Sequence, residues 1–446
     1  MYGVQEPSGR DLLFVPLGGS GEIGMNFNMY GHDGRWLIVD CGIAFTQENG
    51  TTEVIMPDPR FAEQRRDQLE GIVITHAHED HLGAVVHLWK RLQCPVYATP
   101  FAAAVLRRKI ADAKLTDSLP LITVDQDLPL SLGPFSLEFV DVTHSTVESQ
   151  AILITTPLGT VLHTGDFKLD DEPLLGRTTD LEAVARAGQR GVLAVISDST
   201  NATKEVASRS EGELVVSLAQ QVEDAGPNRV AAVCFSSNIA RIHALVRLAE
   251  QHDRHPVFVG RSLMRMVAAG QEAGYFGRFE TEVAPRDFGY LPPSKVMLIC
   301  TGTQGEPGSA MDRIGRQRHR DIALDPDDVV IFSSKIIPGN EVGVERVHSQ
   351  LSAQRIKVVS EKDAFVHVSG HPGRPELRRL YDLARPDVVV PVHGEARHMA
   401  AHAELAQSMK LPAVVPTNGA VVRLAPGPAA VVGQVESGRL LVPQRR

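Results

Sequence analysis

The stretch Thr75-His76-Ala77-His78-Glu79-Asp80-His81 decides how this chain is read. It follows Gly71-Ile72-Val73-Ile74, a short apolar run that reads as a buried strand. Four side chains able to ligate a metal, His76, His78, Asp80 and His81, then fall within six positions at the strand's C-terminal end. Imidazole and carboxylate together suit zinc, manganese or iron-group ions rather than calcium. Strand alternation sends His76, His78 and Asp80 to one side, and His81 then needs a turn. Such a cluster suits two cations close together, each taking part of the set. The bland alternative is a polar turn with solvated histidines, but one turn rarely gathers so many ligands without a metal.

Further candidates stand at the ends of other apolar runs. Asp40 ends Trp36-Leu37-Ile38-Val39, and His144 follows Phe139-Val140-Asp141-Val142-Thr143. Asp166 follows Thr160–Gly165, and His393 follows Asp387-Val388-Val389-Val390-Pro391-Val392. An α/β sheet brings the carboxyl ends of its strands to one edge, where ligands bind. Taken singly, each of these residues is as well explained by solvation or structure. Together with the first cluster they make a ligand set.

Length and composition bound the rest. A chain of 446 residues exceeds a single core and implies two or three domains. Apolar content of 43% and charged content of 22% are ordinary for a globular protein. No charged segment followed by an apolar one suggests a secretory signal, and no apolar run is long enough to span a membrane. Cys41, Cys94, Cys234 and Cys300 show no CxxC spacing; three lie in or beside apolar runs and read as buried thiols of a reducing, cytoplasmic compartment. The formal charge of −9 argues against a generic polyanion-coating protein.

Along the chain, Leu12–Val15 reads as a strand running into Gly18-Gly19-Ser20-Gly21-Glu22-Ile23-Gly24. The GxGxxG match should open a helix if it bound a dinucleotide. Here Asn26–Tyr30 alternates like a strand instead, so the glycines read as a tight turn near the metal site. Helical spacing covers Leu82–Leu92 and Phe101–Lys114, and Val192–Ser197 reads as a strand ending at Asp198. After about residue 208 helices and strands alternate, as in a small parallel α/β domain. That segment lies between Asp166 and His393, so it reads as an insertion. The expected boundaries are 1–207 and 349–446 for the metal-binding fold and 208–348 for the inserted domain.

The HxHxDH pattern is the signature of the metallo-β-lactamase fold, and the inserted domain resembles its β-CASP branch, whose members cut nucleic acids. The phrases LGGSGEIGMN, THAHEDHLGA, HTGDFKLD, SDSTNA, FSSNIARI, ICTGTQGEP, IPGNE, HVSGHPG and PVHGEARH resemble the bacterial ribonuclease J family from residue 17 to 398. The fold this implies is an αββα metallo-β-lactamase sandwich carrying an inserted β-CASP α/β domain. The family usually adds a further C-terminal domain, whereas this sequence stops at Arg446; that leaves a homodimer open.

By this resemblance His76, His78 and His144 hold one divalent cation, and Asp80, His81 and His393 the other, with Asp166 between them. Asp40 stands behind and orients the cluster. Three histidines in one site favour Zn²⁺, with Mn²⁺ or Mg²⁺ as alternatives. A bound cation lowers the pKa of water from about 15.7 to about 7, worth roughly 12 kcal/mol at about 1.36 kcal/mol per unit. No side-chain base alone offers as much.

His371 resembles the family's catalytic histidine and Asp198 its acidic partner. Their structural alternatives are a Gly-Pro turn residue and a helix N-cap. His367, Val368, Ser369, Gly370 and His371, with Ser236, Ser237 and Asn238 before a helix, are candidates to hold a phosphate; an N-cap explains the second group nearly as well. Arg313, Arg316, Arg318 and Arg320 form the densest basic cluster, as consistent with a solvated loop as with phosphate contact. Aromatics are few, which favours backbone reading over base stacking.

The expectation is therefore a metal-dependent nuclease for single-stranded RNA, working from 5′-monophosphate ends and also internally, in RNA maturation and decay. Small-molecule ester or lactone hydrolysis on the same core is the rival, and a non-catalytic RNA-binding partner of a decay complex is the third class. No membrane partner is expected.

Overall fold

The long apolar runs become strands buried on both faces. The computed structural model describes residues 6–48, 51–279, 281–337 and 339–442, and its contacts divide the chain into two units. The first holds residues up to Leu169, Arg177–Ser208 and residues from Gly370 onward. The second holds Asp170–Gly176 and Arg209–Ser369. Pro338 of the Ile337–Glu341 phrase and the terminal Arg446 lie outside the described residues.

The first unit contains two large sheets. One runs Ala430–Gln434, Ala420–Ala425, Leu12–Gly18, Phe27–His32, Arg35–Val39, Leu69–Val73, Val96–Ala98 and Leu121–Thr123. The other runs Leu130–Leu132, Phe135–Asp141, Gln150–Thr156, Gly159–His163, Val192–Asp198 and Pro386–Val392. They share a core in which Phe14, Leu37, Val39 and Val73 meet Leu137, Ile152, Ile196 and Val390.

Along Val192–Asp198, Ala194 and Ile196 enter that core. Val192 and Val195 instead pack with Val184 and Ala187 of the helix Leu181–Arg190 and Leu377 and Leu380 of the helix Arg374–Ala384. A strand covered on both faces has no polar positions to alternate, which is why it reads as a continuous apolar run. The helix Pro100–Asp112 packs on Val96–Ala98 and Leu121–Thr123 of the other sheet. The result is the expected α/β architecture, a metallo-β-lactamase sandwich with helices outside its sheets.

Register places the candidate residues. Arg35–Val39 and Leu69–Val73 are parallel with Val39 beside Val73, so Asp40 and Thr75 emerge at the same edge. Val192–Asp198 and Pro386–Val392 are parallel with Asp198 beside Val392, so Asp198 and His393 emerge together.

Some local expectations change. The strand before the histidine cluster ends at Val73, so alternation does not sort His76, His78 and Asp80. The helix expected over Leu82–Leu92 is two helices, Glu79–Leu82 and Val85–Leu92. The Asp80 carbonyl, which a continuous helix would offer to Ala84, accepts from Asn26 N at 3.0 Å, and Ala84 N turns to Cys41 O at 2.9 Å. Gly19, Gly21 and Gly24 all have positive φ, and the strand Phe27–His32 follows them, so no helix opens on the glycine-rich turn.

The second unit has five parallel strands in the order His255–Val259, Val296–Cys300, Val230–Val233, Val329–Phe332 and Lys357–Val359. The chain leaves Val230–Val233 towards one side of the sheet and later returns to build the other. Lys357–Val359 adds the last strand, so this unit's contacts continue past residue 348. All four cysteines are buried free thiols. Among the described residues, no helix is long and apolar enough to cross a membrane.

Ile196 is fully buried between the two sheets. Ile196→Ala should lower the unfolding free energy by about 2–5 kcal/mol in denaturant titration. A loss under about 1 kcal/mol would mean the sandwich repacks around the missing atoms.

Candidate metal centre

The site starts from a buried carboxylate. Asp40 is fully buried and sits in the left-handed region at φ 66°, which turns its side chain off the end of its strand. Its Oδ1 accepts from Thr75 N at 2.8 Å, and Thr75 Oγ1 donates to Oδ2 at 2.9 Å. His81 Nδ1 lies 2.7 Å from Asp40 Oδ2. A proton held on Nδ1 by Asp40 leaves His81 Nε2 facing Asp166 Oδ2 at 3.2 Å. Gly42 makes this possible, since a Cβ there would stand 1.7 Å from the Asp80 carbonyl oxygen.

Seven expected ligands converge in two groups. His76, His78 and His144 form one, and Asp80, His81, Asp166 and His393 the other, with the ligand atoms of each group within 4.8 Å of one another. Asp166 Oδ2 also lies 4.0 Å from His76 Nε2 and 3.9 Å from His144 Nε2, between the groups. His393 sits at φ 50° and donates its backbone N–H to Gly19 O at 2.6 Å, so the glycine turn fixes its main chain.

The donor set fits cations. His78 Nδ1 is 3.1 Å from both His76 Nε2 and His144 Nε2. One proton can bridge only one such pair, and burial holds the imidazoles neutral. It pushes His76 and His144 well below the ordinary histidine range and His78 down to about 4. His144 Nδ1 donates to Gly370 O at 2.6 Å, which leaves Nε2 as a lone-pair donor towards the centre. Gly370 is cradled there, since a Cβ would stand 2.8 Å from the His144 ring.

In the second group, His393 Nε2 is buried without a hydrogen bond, while Asp166 Oδ1, also without one, faces His393 Nδ1 at 3.1 Å. Such an atom costs about 1–3 kcal/mol unless something pairs with it. Burial works against charge on His81, yet Asp166, Asp40 and Asp80 hold it well above the ordinary range, so the carboxylates call for positive charge here. For Asp166 burial is likewise outweighed, by His393 and His81, and its carboxyl stays well below the usual range.

His371 and Asp198 also meet. His371 Nδ1 is 2.8 Å from Asp198 Oδ2, and 3.9 Å from Asp166 Oδ2. Burial opposes its protonation, but Asp198, then Asp166 and Asp80, raise it to about 9. Asp198 Oδ1 accepts from Thr200 N at 2.8 Å in a turn, so the residue ends a strand and caps no helix.

The phosphate candidates divide between the units. Gly370 and His371 belong to the first, while His367, Val368 and Ser369 belong to the second with Ser236, Ser237 and Asn238. Asn238 is the N-cap of the helix Ile239–Gln251, accepting from Arg241 N at 2.9 Å. Buried Arg241 donates to Ser333 Oγ at 2.5 Å, and Ser333 Oγ donates to Val366 O at 2.7 Å. Within this unit those bonds link the serine turn to the chain entering His367–Ser369. In the arginine cluster, Arg316 is committed to Asp312 at 3.0 Å, whereas Arg320 is solvated.

Two site residues escaped sequence reasoning. Thr75 holds Asp40, and Asn26 Nδ2 lies 3.1 Å from His81 Nε2 and 2.9 Å from His393 Nδ1. Both sit inside phrases that carry the family resemblance, which was the available signal. Because Asp40 orients His81, Asp40→Asn should weaken divalent-cation affinity by about 10–100-fold, measured by competition with a chelating indicator. Unchanged affinity would leave Asp40 with no hold on the centre.

Comparisons with known proteins give the family. Residues 25–211 match the model of the metallo-beta-lactamase superfamily. Residues 227–351 match the ribonuclease J beta-CASP domain, and residues 355–416 the Zn-dependent metallo-hydrolase RNA specificity domain. Ribonuclease J of Sinorhizobium meliloti is 44% identical over 97% of this chain and 77% of its own length. That of Mycolicibacterium smegmatis is 41% identical over 97% of this chain and 78% of its own. A crystal structure of a protein of unknown function from Enterococcus faecalis covers 93% of the chain at TM-score 0.64 and 15% identity, a likeness of fold. With its fold, its all-histidine group beside a histidine–aspartate group, and these relatives, the chain belongs to the ribonuclease J family.

Proposed function

We propose that this protein is a metal-dependent ribonuclease of the cytoplasm that hydrolyses single-stranded RNA from the 5′ end, prefers a 5′-monophosphate, and also cuts internally, in rRNA maturation and RNA decay. The observation that carries the reading is the convergence of both ligand groups and the His371–Asp198 pair, carried in part by loops that follow strands of both sheets of the first unit. His76, His78 and His144 would hold one cation and Asp80, His81 and His393 the other, with Asp166 shared and zinc the best match to three imidazoles. Bound there, the cations supply an activated water at neutral pH and positive charge for the phosphate oxygens.

The chain's own residues do the rest. Asp198 holds His371 by Nδ1, leaving Nε2 to carry the proton that the departing 3′-oxygen needs. An exonuclease must also find where the strand begins. Donors for a terminal phosphate are available in the Ser369-Gly370 turn and at Ser236–Asn238. The second group stands where the chain reverses direction across its parallel sheet, the usual place for a ligand in such folds. A site sized for a monophosphate excludes the charge and bulk of a triphosphate.

Incubating the metal-loaded protein with 5′-labelled RNA and, separately, with a generic ester tests the reading. RNA should be cut and the ester left, and a chelator should abolish cutting; ester turnover alone would mean a small-molecule hydrolase. His78→Ala and Asp80→Ala should each abolish cleavage with the fold retained by circular dichroism, and wild-type turnover with full metal content in either would remove the two-cation site. RNA with a 5′-monophosphate should disappear faster than the same RNA with a 5′-triphosphate, and equal rates would remove the phosphate preference. His371→Ala should lower kcat more than it weakens RNA binding; the reverse pattern would make His371 a docking residue.

A further inference from the structure

The helix Arg374–Ala384 opens at Gly373, and Glu376 Oε2 reaches back to accept from Gly373 N at 2.8 Å, the one half of a capping box that a glycine N-cap allows. A cap needs no more than that. The Glu376 carboxylate nevertheless takes two further donors from distant parts of the chain. Ser208 N donates to the same Oε2 at 2.8 Å, and Leu169 N donates to Oε1 at 2.7 Å. The residue is 3% exposed, so these bonds are shielded from competing water.

The donors belong to the segments that build the site. Leu169 follows Asp166 on the same short loop. Ser208 Oγ donates to the His371 carbonyl at 2.5 Å, beside Asn201 Nδ2 at 3.0 Å, and Asn201 lies in the turn after Asp198. Gly373 is two residues beyond His371, and a Cβ there would stand 2.0 Å from Val206 O, so the two segments touch backbone to backbone. Arg374 N closes the contact on Lys204 O at 2.9 Å. All of these residues lie in the first unit.

We propose that Glu376 is a positioning residue for the His371–Asp198 pair: one carboxylate, through Ser208 and Gly373, fixes the backbone from which His371 reaches Asp198. This rests on the nuclease reading above. Glu376→Gln keeps the shape but turns an NH₂ group towards an N–H donor, so at least one of the three bonds becomes a repulsion. It should lower kcat on 5′-monophosphorylated RNA about tenfold or more, with KM and bound metal within about twofold. Ser208→Ala, which removes only the hydroxyl on the His371 carbonyl, should cause a smaller loss of the same kind.

The deciding measurement is a double-mutant cycle. If Glu376 acts through His371, adding Glu376→Gln to His371→Ala costs no further kcat. An equal fractional loss in both backgrounds, or wild-type kcat in Glu376→Gln, overturns the proposal and leaves Glu376 a helix cap. Should Glu376→Gln fail to fold, Ser208→Ala enters the same cycle, where coupling to His371→Ala supports the proposal and independent losses overturn it. A wild-type protein that does not cut RNA sinks the nuclease reading and this role together, whereas wild-type cutting without coupling sinks this role alone.

Discussion

The candidate metal centre hangs on the buried carboxylate of Asp40. Two parallel strands end level with each other, and Asp40 spans the gap between their ends by accepting from Thr75. The same carboxylate then sets the His81 ring. Loss of that anchor would free the loop that carries His76, His78 and Asp80, because their strand has already ended at Val73. A short side chain in a left-handed backbone position thus governs a site built from five separate stretches of sequence.

Charge balance gives the site its character. Neutral imidazoles crowd one side, while Asp40, Asp80 and Asp166 gather around His81 and His393 on the other. In a buried setting neither arrangement is stable by itself, since lone pairs face lone pairs in the first and carboxylates concentrate negative charge in the second. Cations answer both demands. His371 stands beside this field, with Asp198 Oδ2 against its ring and raising its pKa.

The second unit solves a different problem with ordinary parts. Its parallel sheet places loop ends rich in serine, threonine and glycine beside the strand Val230–Val233, and the buried Arg241–Glu211 pair anchors the helix that follows. Arg241 also reaches Ser333, so an ion pair that is costly to desolvate fixes the geometry of neighbouring loops. Polar groups are held in place there by one another.

The sequence by itself marked out the candidate metal ligands. His76, His78, Asp80 and His81 lie too close together to need a fold to be noticed, and the remaining ligands each follow an apolar run that announces a strand end. The continuous apolar runs also disclosed a layered α/β architecture, because burial on both faces leaves a mark in composition. Only the tertiary structure decided which ligands share a group, since that depends on strand register and on the break between the helices Glu79–Leu82 and Val85–Leu92, where Asn26 takes the Asp80 carbonyl. It also brought Asn26, Thr75, Ser208 and Glu376 to their partners. Their partners are mostly remote in the chain, and amide, hydroxyl and carboxylate side chains carry no local sign of which distant backbone or ring they will meet. Glu376 shows the limit well: its spacing from Gly373 reads as a helix cap, and only folding brings Leu169 and Ser208 to the same carboxylate.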